Sequence, residues 1–421
     1  MKARKVVLVD AIRTAFGRAG EKGFFWTTRA DDMVVKVIRE LLRRNPQVKP
    51  EMIEENAWGV FCQEGDQGLT LGRTSVILAG LPETTAGYSI DRMCAGGMSA
   101  ITTAASAVAL GACDVAIAGG VEHMGHHPMG ATADPNPRFL TDKLVDSSAM
   151  SMGETAENLH DMFPEITKEM TDEYSLHCQQ KAANAIKSGK IGEMIVPMTV
   201  YTKAGWIVAD RDEQPRPETT MEGLANLRTP FRVMGRVTAG NSSGLNDGAA
   251  GCLLMSEAKA EELGVTPKME FKAFAYAGVK PEIMGIGPIP ATHKALANAG
   301  LTMDDIGIVE LNEAFAVQAI AFMKEFGLEF PDDPRMNMYG GAIAFGHPLA
   351  SSGVRLACHL MHAFAERPDV KYGLTTMCVG LGQGGTVIWK NLQRDKGKEH
   401  KSEKEDKPEK EEKKEKKKQK D

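Results

Sequence analysis

Apolar and polar residues along this 421-residue chain fall into blocks that switch between two periods. Lys5 to Asp10 is a short apolar run and reads as a buried strand, whereas Asp31 to Arg44 sets Met33, Val34, Val37, Ile38, Leu41 and Leu42 at helical spacing. Pro50 to Gln63 carries a short helix start and the strand AWGVFCQ, and a glycine-bounded helix follows. The stretch from Tyr88 to Gly111, YSIDRMCAGGMSAITTAASAVALG, predicts a strand, a sharp turn at a glycine pair and a long buried helix. DVAIAGG then reads as a strand ending in glycines. Strands alternate with helices throughout, the pattern of an α/β fold.

The second half repeats this order. Lys268 to Val279 corresponds to the opening strand, and THKALANAGLTMDDIGIVELNEAF parallels VIRELLRRNPQVKPEMIEENAWGVFCQE as helix, linker and strand. NMYGGAIAFGHPLASSGVRLACHLMHAF parallels the Tyr88 stretch, which puts Cys94 and His347 at matching places. YGLTTMCVGLGQGGTVIWKN parallels DVAIAGG with its later partner AAGCLLMSE. Two duplicated βαβ halves with a site between them are the simplest account, and the four chemically interesting motifs converge if the halves pack face to face. The expected boundaries are an N-terminal half over 1–266, a C-terminal half over 267–394 and a charged tail over 395–421. Within the first half a long insertion, about 121–246, reads as a covering lobe, with an amphipathic surface helix from Asp172 to Ser188.

Composition narrows the function classes. A chain that is 43% hydrophobic and 25% charged has the core for a globular protein of two domains. Its 43 glycines cluster in motifs such as AGG, GGAIAFG and GLGQGG, as tight turns do and linkers do not. From Lys396 onward twelve lysines face nine acidic residues, so the net charge of −6 leaves about −9 on the rest of the chain, which does not suit a nucleic-acid groove. The tail itself is too polar to fold alone and is expected to be disordered. Seven cysteines without a CxxC pair argue against disulfides or zinc and for a reducing compartment. The apolar run after the basic N-terminus is too short for a signal segment, and no stretch reads as a transmembrane span, so a cytoplasmic location is expected.

Cys94 is the first candidate for chemistry. A cysteine at a helix N-terminus meets unpaired backbone N–H groups and the positive end of the helix dipole, which favour thiolate; equally, a cysteine there can simply fill space. The balance shifts with its company: LNEAF at Asn312, AFGHP at His347 and MCVGLGQGG at Cys378. An imidazole can take a proton from one thiol, a carboxamide can hold a water, and a second thiol can shuttle a proton. GLGQGG at Gly380 is no dinucleotide fingerprint, because strands flank it on both sides. His123, His126 and His127 lack the spacing of a metal site and are expected to line the substrate cavity; no metal is expected.

Together, in this order, these motifs make the chain resemble the thiolase family from Lys5 to about Asn391. The resemblance implies the thiolase-like five-layer αβαβα fold, with Cys94 as nucleophile, Asn312 and His347 at the enolate oxygen, and Cys378 as the acid and base. It also implies that the backbone N–H groups of Cys94 and Gly380 hold the acyl oxyanion. VEHMGHHPMG and RPETTMEGLANLRTPF resemble the β subunit of the bacterial fatty-acid oxidation complex, which implies thiolytic cleavage of 3-ketoacyl-CoA in fatty-acid β-oxidation. CoA then enters as a cosubstrate, with no cofactor, and the lobe is expected to grip it: Arg228 at its nucleotide end, Ser243 at the pantetheine chain. Further expectations from the family are a homodimer or higher oligomer, and a partner subunit with hydratase and 3-hydroxyacyl-CoA dehydrogenase activities. Two positions depart from the family pattern, Asp91 where Asn is usual and Ala350 where GHPxG has Gly, and both bear on the shape of the acyl pocket. The rival readings are a biosynthetic thiolase joining two acetyl-CoA molecules, a non-catalytic acyl-CoA-binding protein and a decarboxylating synthase. The last needs a second histidine where this chain has Cys378.

Overall fold

Strand β1, Val6–Thr14, is buried at all nine positions, so an apolar run here means a central strand covered on both faces. A computed structural model describes residues 3–394 of the protein; the charged tail lies outside the described residues. Helix α1 (Ala30–Arg44) follows, then β2 (Glu55–Gly59), α2 (Leu71–Ala79), β3 (Ala86–Ile90), α3 (Gly96–Leu110) and β4 (Val115–His123). The chain leaves the sheet there and returns at β5 (Asn246–Ser256). The second half then runs β6 (Met269–Gly278), a helix Pro288–Ala299, β7 (Ile306–Leu311), a helix Ala316–Glu325, a central helix Ser352–Glu366, β8 (Tyr372–Val379) and β9 (Gln383–Asn391).

These nine strands lie in the order β7-β8-β9-β6-β1-β5-β4-β2-β3. Reading outward from the middle, β6-β9-β8-β7 and β1-β5-β4-β2 carry the same ladders: antiparallel, antiparallel, then parallel. The duplication is therefore present in the pairing itself. β1 meets β6 through only three residue pairs, Val6 with Phe271, Val7 with Glu270 and Leu8 with Met269. The half-sheets thus join edge to edge, and it is their central helices that meet face to face: α3 packs on helix Ser352–Glu366, and both lie between the sheets. α1 and α2 cover the outer face of the first half-sheet and helix Pro288–Ala299 that of the second, which completes five layers. Met93–Leu110 is long and apolar enough in mean hydropathy to cross a membrane, but it is this sandwiched helix.

The two central helices approach closely because small residues line the contact. A Cβ on Gly97 would lie 2.4 Å from the Ala350 carbonyl oxygen, and the Gly97 N–H donates to that same oxygen at 2.9 Å. A side chain there would push the halves apart. Ala350 itself is fully buried and faces Gly96, so its departure from the family's glycine falls in this helix contact rather than in a substrate pocket. Within the insertion, the amphipathic helix runs over Lys168–Lys187, starting earlier than its hydrophobic spacing predicts because the Thr167 hydroxyl caps it by accepting from Met170 N–H at 3.2 Å. It packs on helix Ala316–Glu325 and on the short helix Ala342–Phe345, which places the lobe over the segments carrying Asn312 and His347.

Candidate active site

Cys94 sits in a tight turn, Met93–Ala95, between the end of β3 and the start of α3. The Asp91 carboxylate accepts the Met93 N–H at 2.6 Å, and Met93 takes the left-handed φ of +45° that turns the chain into the helix. Asp91 in the place of Asn thus still supports the turn. Cys94 keeps partial exposure although protein surrounds its sulfur, and this burial pushes the thiol up to about 11. Backbone N–H groups of Gly380 and of Cys94 itself pull the other way, and Glu122 and Asp91 add to the rise. The helix N-terminus therefore does not make a resting thiolate: desolvation outweighs the local donors, and the sulfur waits as a thiol.

His347, at the corresponding turn of the second half, is buried and neutral. Burial pulls its imidazolium down to about 3, helped by the nearby positive charge of Arg355. The Ser352 hydroxyl donates to the Pro348 carbonyl at 2.9 Å, so its oxygen is left to accept the Nδ1–H of His347 at 2.6 Å. That leaves Nε2 as the lone-pair nitrogen, the form a general base needs. The Nδ2 of Asn312 lies 3.3 Å from this Nε2. Asn312 follows β7 directly, and its N–H donates to the Thr376 carbonyl at 2.9 Å on the strand that carries Cys378. The backbone before His347 turns at Gly346, φ +93°, where a Cβ would strike the Asn246 amide at 2.1 Å; that amide oxygen accepts the His347 N–H at 3.1 Å. Glu313, next to Asn312, accepts from Tyr174 hydroxyl at 2.8 Å, Asn337 at 2.5 Å and Cys178 at 3.0 Å, which pins the loop to the lobe.

Cys378 lies at the end of β8, fully buried, its thiol raised by desolvation and by the neighbouring Cys94 sulfur. Gly380 begins the turn from β8 to β9, and a Cβ on it would meet the Met93 sulfur at 2.7 Å. The structure thus gathers Cys94, Asn312, His347, Cys378 and Gly380 at one place where the halves meet. Ser243 approaches this group through its backbone, whose N–H donates to the Ala314 carbonyl at 3.0 Å. Arg228 lies apart, on the exposed loop after a short helix, Met221–Ala225. Of the three histidines expected to line the cavity, His123 ends β4 fully buried, and His126 and His127 lie in the turn that follows. His123 and His126 stack at 3.6 Å, and His126 and His127 both hydrogen-bond Asp66, at 3.2 and 2.5 Å. Sequence reasoning missed Ser352, Arg355, Asn246 and Glu313; the i, i+3 spacing of Ser352 and Arg355 on one helix was the available signal for the first two.

Two duplicated halves that bring a cysteine and a histidine from the turns before the sandwiched helices together with an asparagine and a second cysteine from the ends of β7 and β8 define a thiolase-type site. The family profiles agree: the thiolase N-terminal domain matches residues 6–258 and the thiolase C-terminal domain residues 265–391. The chain belongs to the thiolase family. It is 45% identical to the 3-ketoacyl-CoA thiolase of Photobacterium profundum over 389 residues, 92% of this chain and 99% of that one. It is 44% identical, over the same shares, to the 3-ketoacyl-CoA thiolase of Pseudoalteromonas translucida. Among solved structures, human mitochondrial 3-ketoacyl-CoA thiolase superposes with a TM-score of 0.83 at 34% identity, covering 92% of this chain and 99% of that chain. The Bacillus anthracis acetyl-CoA acetyltransferase gives 0.82 at 36% identity, covering 93% and 100%.

Proposed function

We propose that the protein is a 3-ketoacyl-CoA thiolase that cleaves its substrate with CoA to acetyl-CoA and a shortened acyl-CoA in fatty-acid β-oxidation. The observation that carries the reading is a buried Cys94 thiol and, at the matching turn of the other half, a neutral His347 whose lone pair sits on Nε2, as a base needs. His347 takes the Cys94 proton as sulfur attacks the 3-keto carbon. The bond between carbons 2 and 3 then breaks, and the enolate oxygen of acetyl-CoA is met by the new Nε2–H and by the Asn312 amide, directly or through a water it holds. Cys378, a thiol at rest, delivers its proton to carbon 2. In the second half-reaction the Cys378 thiolate takes the proton of CoA, whose sulfur attacks the acyl group on Cys94; the carbon–sulfur bond to Cys94 breaks, and the departing Cys94 sulfur takes back its proton from His347. The N–H groups of Cys94 and Gly380 hold that oxyanion; losing one such donor costs about 3 kcal/mol of barrier.

CoA serves as cosubstrate and no cofactor takes part. Ser243 and Arg228 of the lobe bind it, Ser243 beside the loop that holds Asn312 and Arg228 out at the surface where a nucleotide end would lie. Intact-mass measurement after mixing with 3-ketoacyl-CoA tests the core of this reading. A Cys94-linked acyl group is expected in the native chain, and an adduct that persists in Cys94→Ser would assign the nucleophile elsewhere.

The likeness to an acetyl-CoA acetyltransferase favours a second reading, condensation of two acetyl-CoA molecules by the same residues. Turnover of long 3-ketoacyl-CoA supports degradation, while strict preference for the four-carbon substrate supports synthesis. β3 ends the sheet with one edge unpaired among the described residues, which suits a homodimer formed across it. Sedimentation at micromolar concentration tests that, a monomer removing it. A cytoplasmic oxidation complex with a hydratase and 3-hydroxyacyl-CoA dehydrogenase subunit is the proposed setting, and co-purification tests it.

A further inference from the structure

Among the described residues two arginines are completely buried, and they are treated differently. Arg13 forms a closed ion pair, both of its terminal nitrogens reaching the Asp212 carboxylate at 2.6 and 2.7 Å. Arg355 has no such partner. Its Nη2 donates to the Asn312 side-chain oxygen at 3.0 Å, while Nε and Nη1 carry no hydrogen bond among the described residues. An unpaired guanidinium is one of the costliest groups to bury, and a purely structural position would be filled more stably by an apolar side chain. The counter-charge stands at a distance. Glu310 on β7 is fully buried, neither of its oxygens is hydrogen-bonded among the described residues, and burial pushes its carboxyl up to about 8 while Arg355 pulls it back. Glu313 adds its field, and His359 lies 3.6 Å from Glu310. Among the described residues, the one directional bond of this buried cation goes to the amide of the candidate site.

A primary amide has two ends of nearly the same shape and opposite polarity. With Arg355 donating to Oδ1, the Nδ2 end must face His347, as it does at 3.3 Å. Turned over, the amide would present oxygen lone pairs to a developing enolate and repel it. The guanidinium also draws electron density from the amide, which strengthens Nδ2–H as a donor. Arg355 stands one helical turn beyond Ser352, so one face of helix Ser352–Glu366 sets both the His347 tautomer and the Asn312 amide.

We propose that Arg355 is a positioning residue for the enolate step, holding and polarising the Asn312 carboxamide so that its N–H faces the enolate oxygen. The inference rests on the thiolase reading of the site. It is tested with the full chain in two reactions: thiolytic cleavage of 3-ketoacyl-CoA, and acyl exchange from a simple acyl-CoA to CoA, which uses Cys94 and Cys378 but forms no enolate. Arg355→Met should lower kcat for cleavage by about 100-fold, with KM and acyl exchange within about threefold. Adding Arg355→Met to Asn312→Ala should cost no more than about threefold further, because both changes remove the same interaction. Equal loss in the two reactions, or losses that multiply in the double variant, overturns the proposal. Arg355→Lys covers the case of a misfolded Met variant: it keeps the charge and one donor, and should lose about tenfold in cleavage alone. An equal loss in exchange overturns the proposal there too. A native chain that exchanges acyl groups but cleaves no 3-ketoacyl-CoA removes the thiolysis reading and this inference with it; a native chain that cleaves, with Arg355→Met unimpaired, removes the inference alone.

Discussion

Cys94 and His347 stand at corresponding points of the two halves, each in the turn before a central helix, yet they are held in opposite ways. Cys94 is served by main chain: its own N–H and that of Gly380 face the sulfur, and a strained Met93 makes the turn. His347 is served by side chains, with Ser352 on one ring nitrogen and Asn312 on the other, and Arg355 behind Asn312. The nucleophile will carry an acyl group whose oxygen must find donors that cannot swing away, which backbone amides supply. The base must present one particular lone pair, which only a partner on its other nitrogen can enforce. Duplication provided two equivalent turns, and different chemistry in each demanded different support.

The comparison breaks most visibly at the groups that serve one half-reaction or both. Cys378→Ala should lose about 1000-fold in both cleavage and acyl exchange, whereas Asn312→Ala should lose about 100-fold in cleavage and keep most of its exchange rate. Equal losses in the two reactions for Asn312→Ala would merge the two oxyanion sites. The main-chain side is sharpened by alkylation of Cys94 with iodoacetamide. Because burial raises its thiol to about 11, the thiolate fraction and hence the inactivation rate should climb about tenfold per pH unit from about 7 to about 10 without levelling near about 8.5. A plateau near the reference value of a free thiol would restore the helix-terminus thiolate. On the side-chain side, Ser352→Ala frees the ring of His347 and should slow cleavage by about 10- to 30-fold with little change in KM. Gly380→Ala keeps the N–H and asks only that the Met93 thioether shift, so a loss of about threefold is expected, read as raised KM for long acyl chains. A loss of about 100-fold there would mean that the turn itself had moved.

The two-period pattern made the layered fold readable, because helix and strand spacing are local properties of the chain. The paired ladders of β1-β5-β4-β2 and β6-β9-β8-β7 follow from the repeat in element order. Less legible was how the halves meet: the three-pair join of β1 to β6 leaves no signal in either segment alone. The histidine cluster at the end of β4 was illegible for a similar reason. Asp66, which hydrogen-bonds two of them, lies some sixty residues away on another loop. Arg355 was invisible because an arginine in an amphipathic helix normally points to solvent.

By itself the sequence determined which reactive groups exist, where they stand relative to helix starts and strand ends, and that two similar halves would present them together. Side-chain chemistry and hydrophobic period are carried residue by residue, so these needed no partner from elsewhere in the chain. The tertiary structure decided the working state of those groups: a Cys94 that rests as a thiol, a His347 that rests neutral with its lone pair on Nε2, and an Asn312 amide turned one way. Protonation and orientation depend on desolvation and on charges brought near by folding, Gly380 beside Cys94 and Arg355 beside Asn312, and neither distance nor burial is written in the order of the residues.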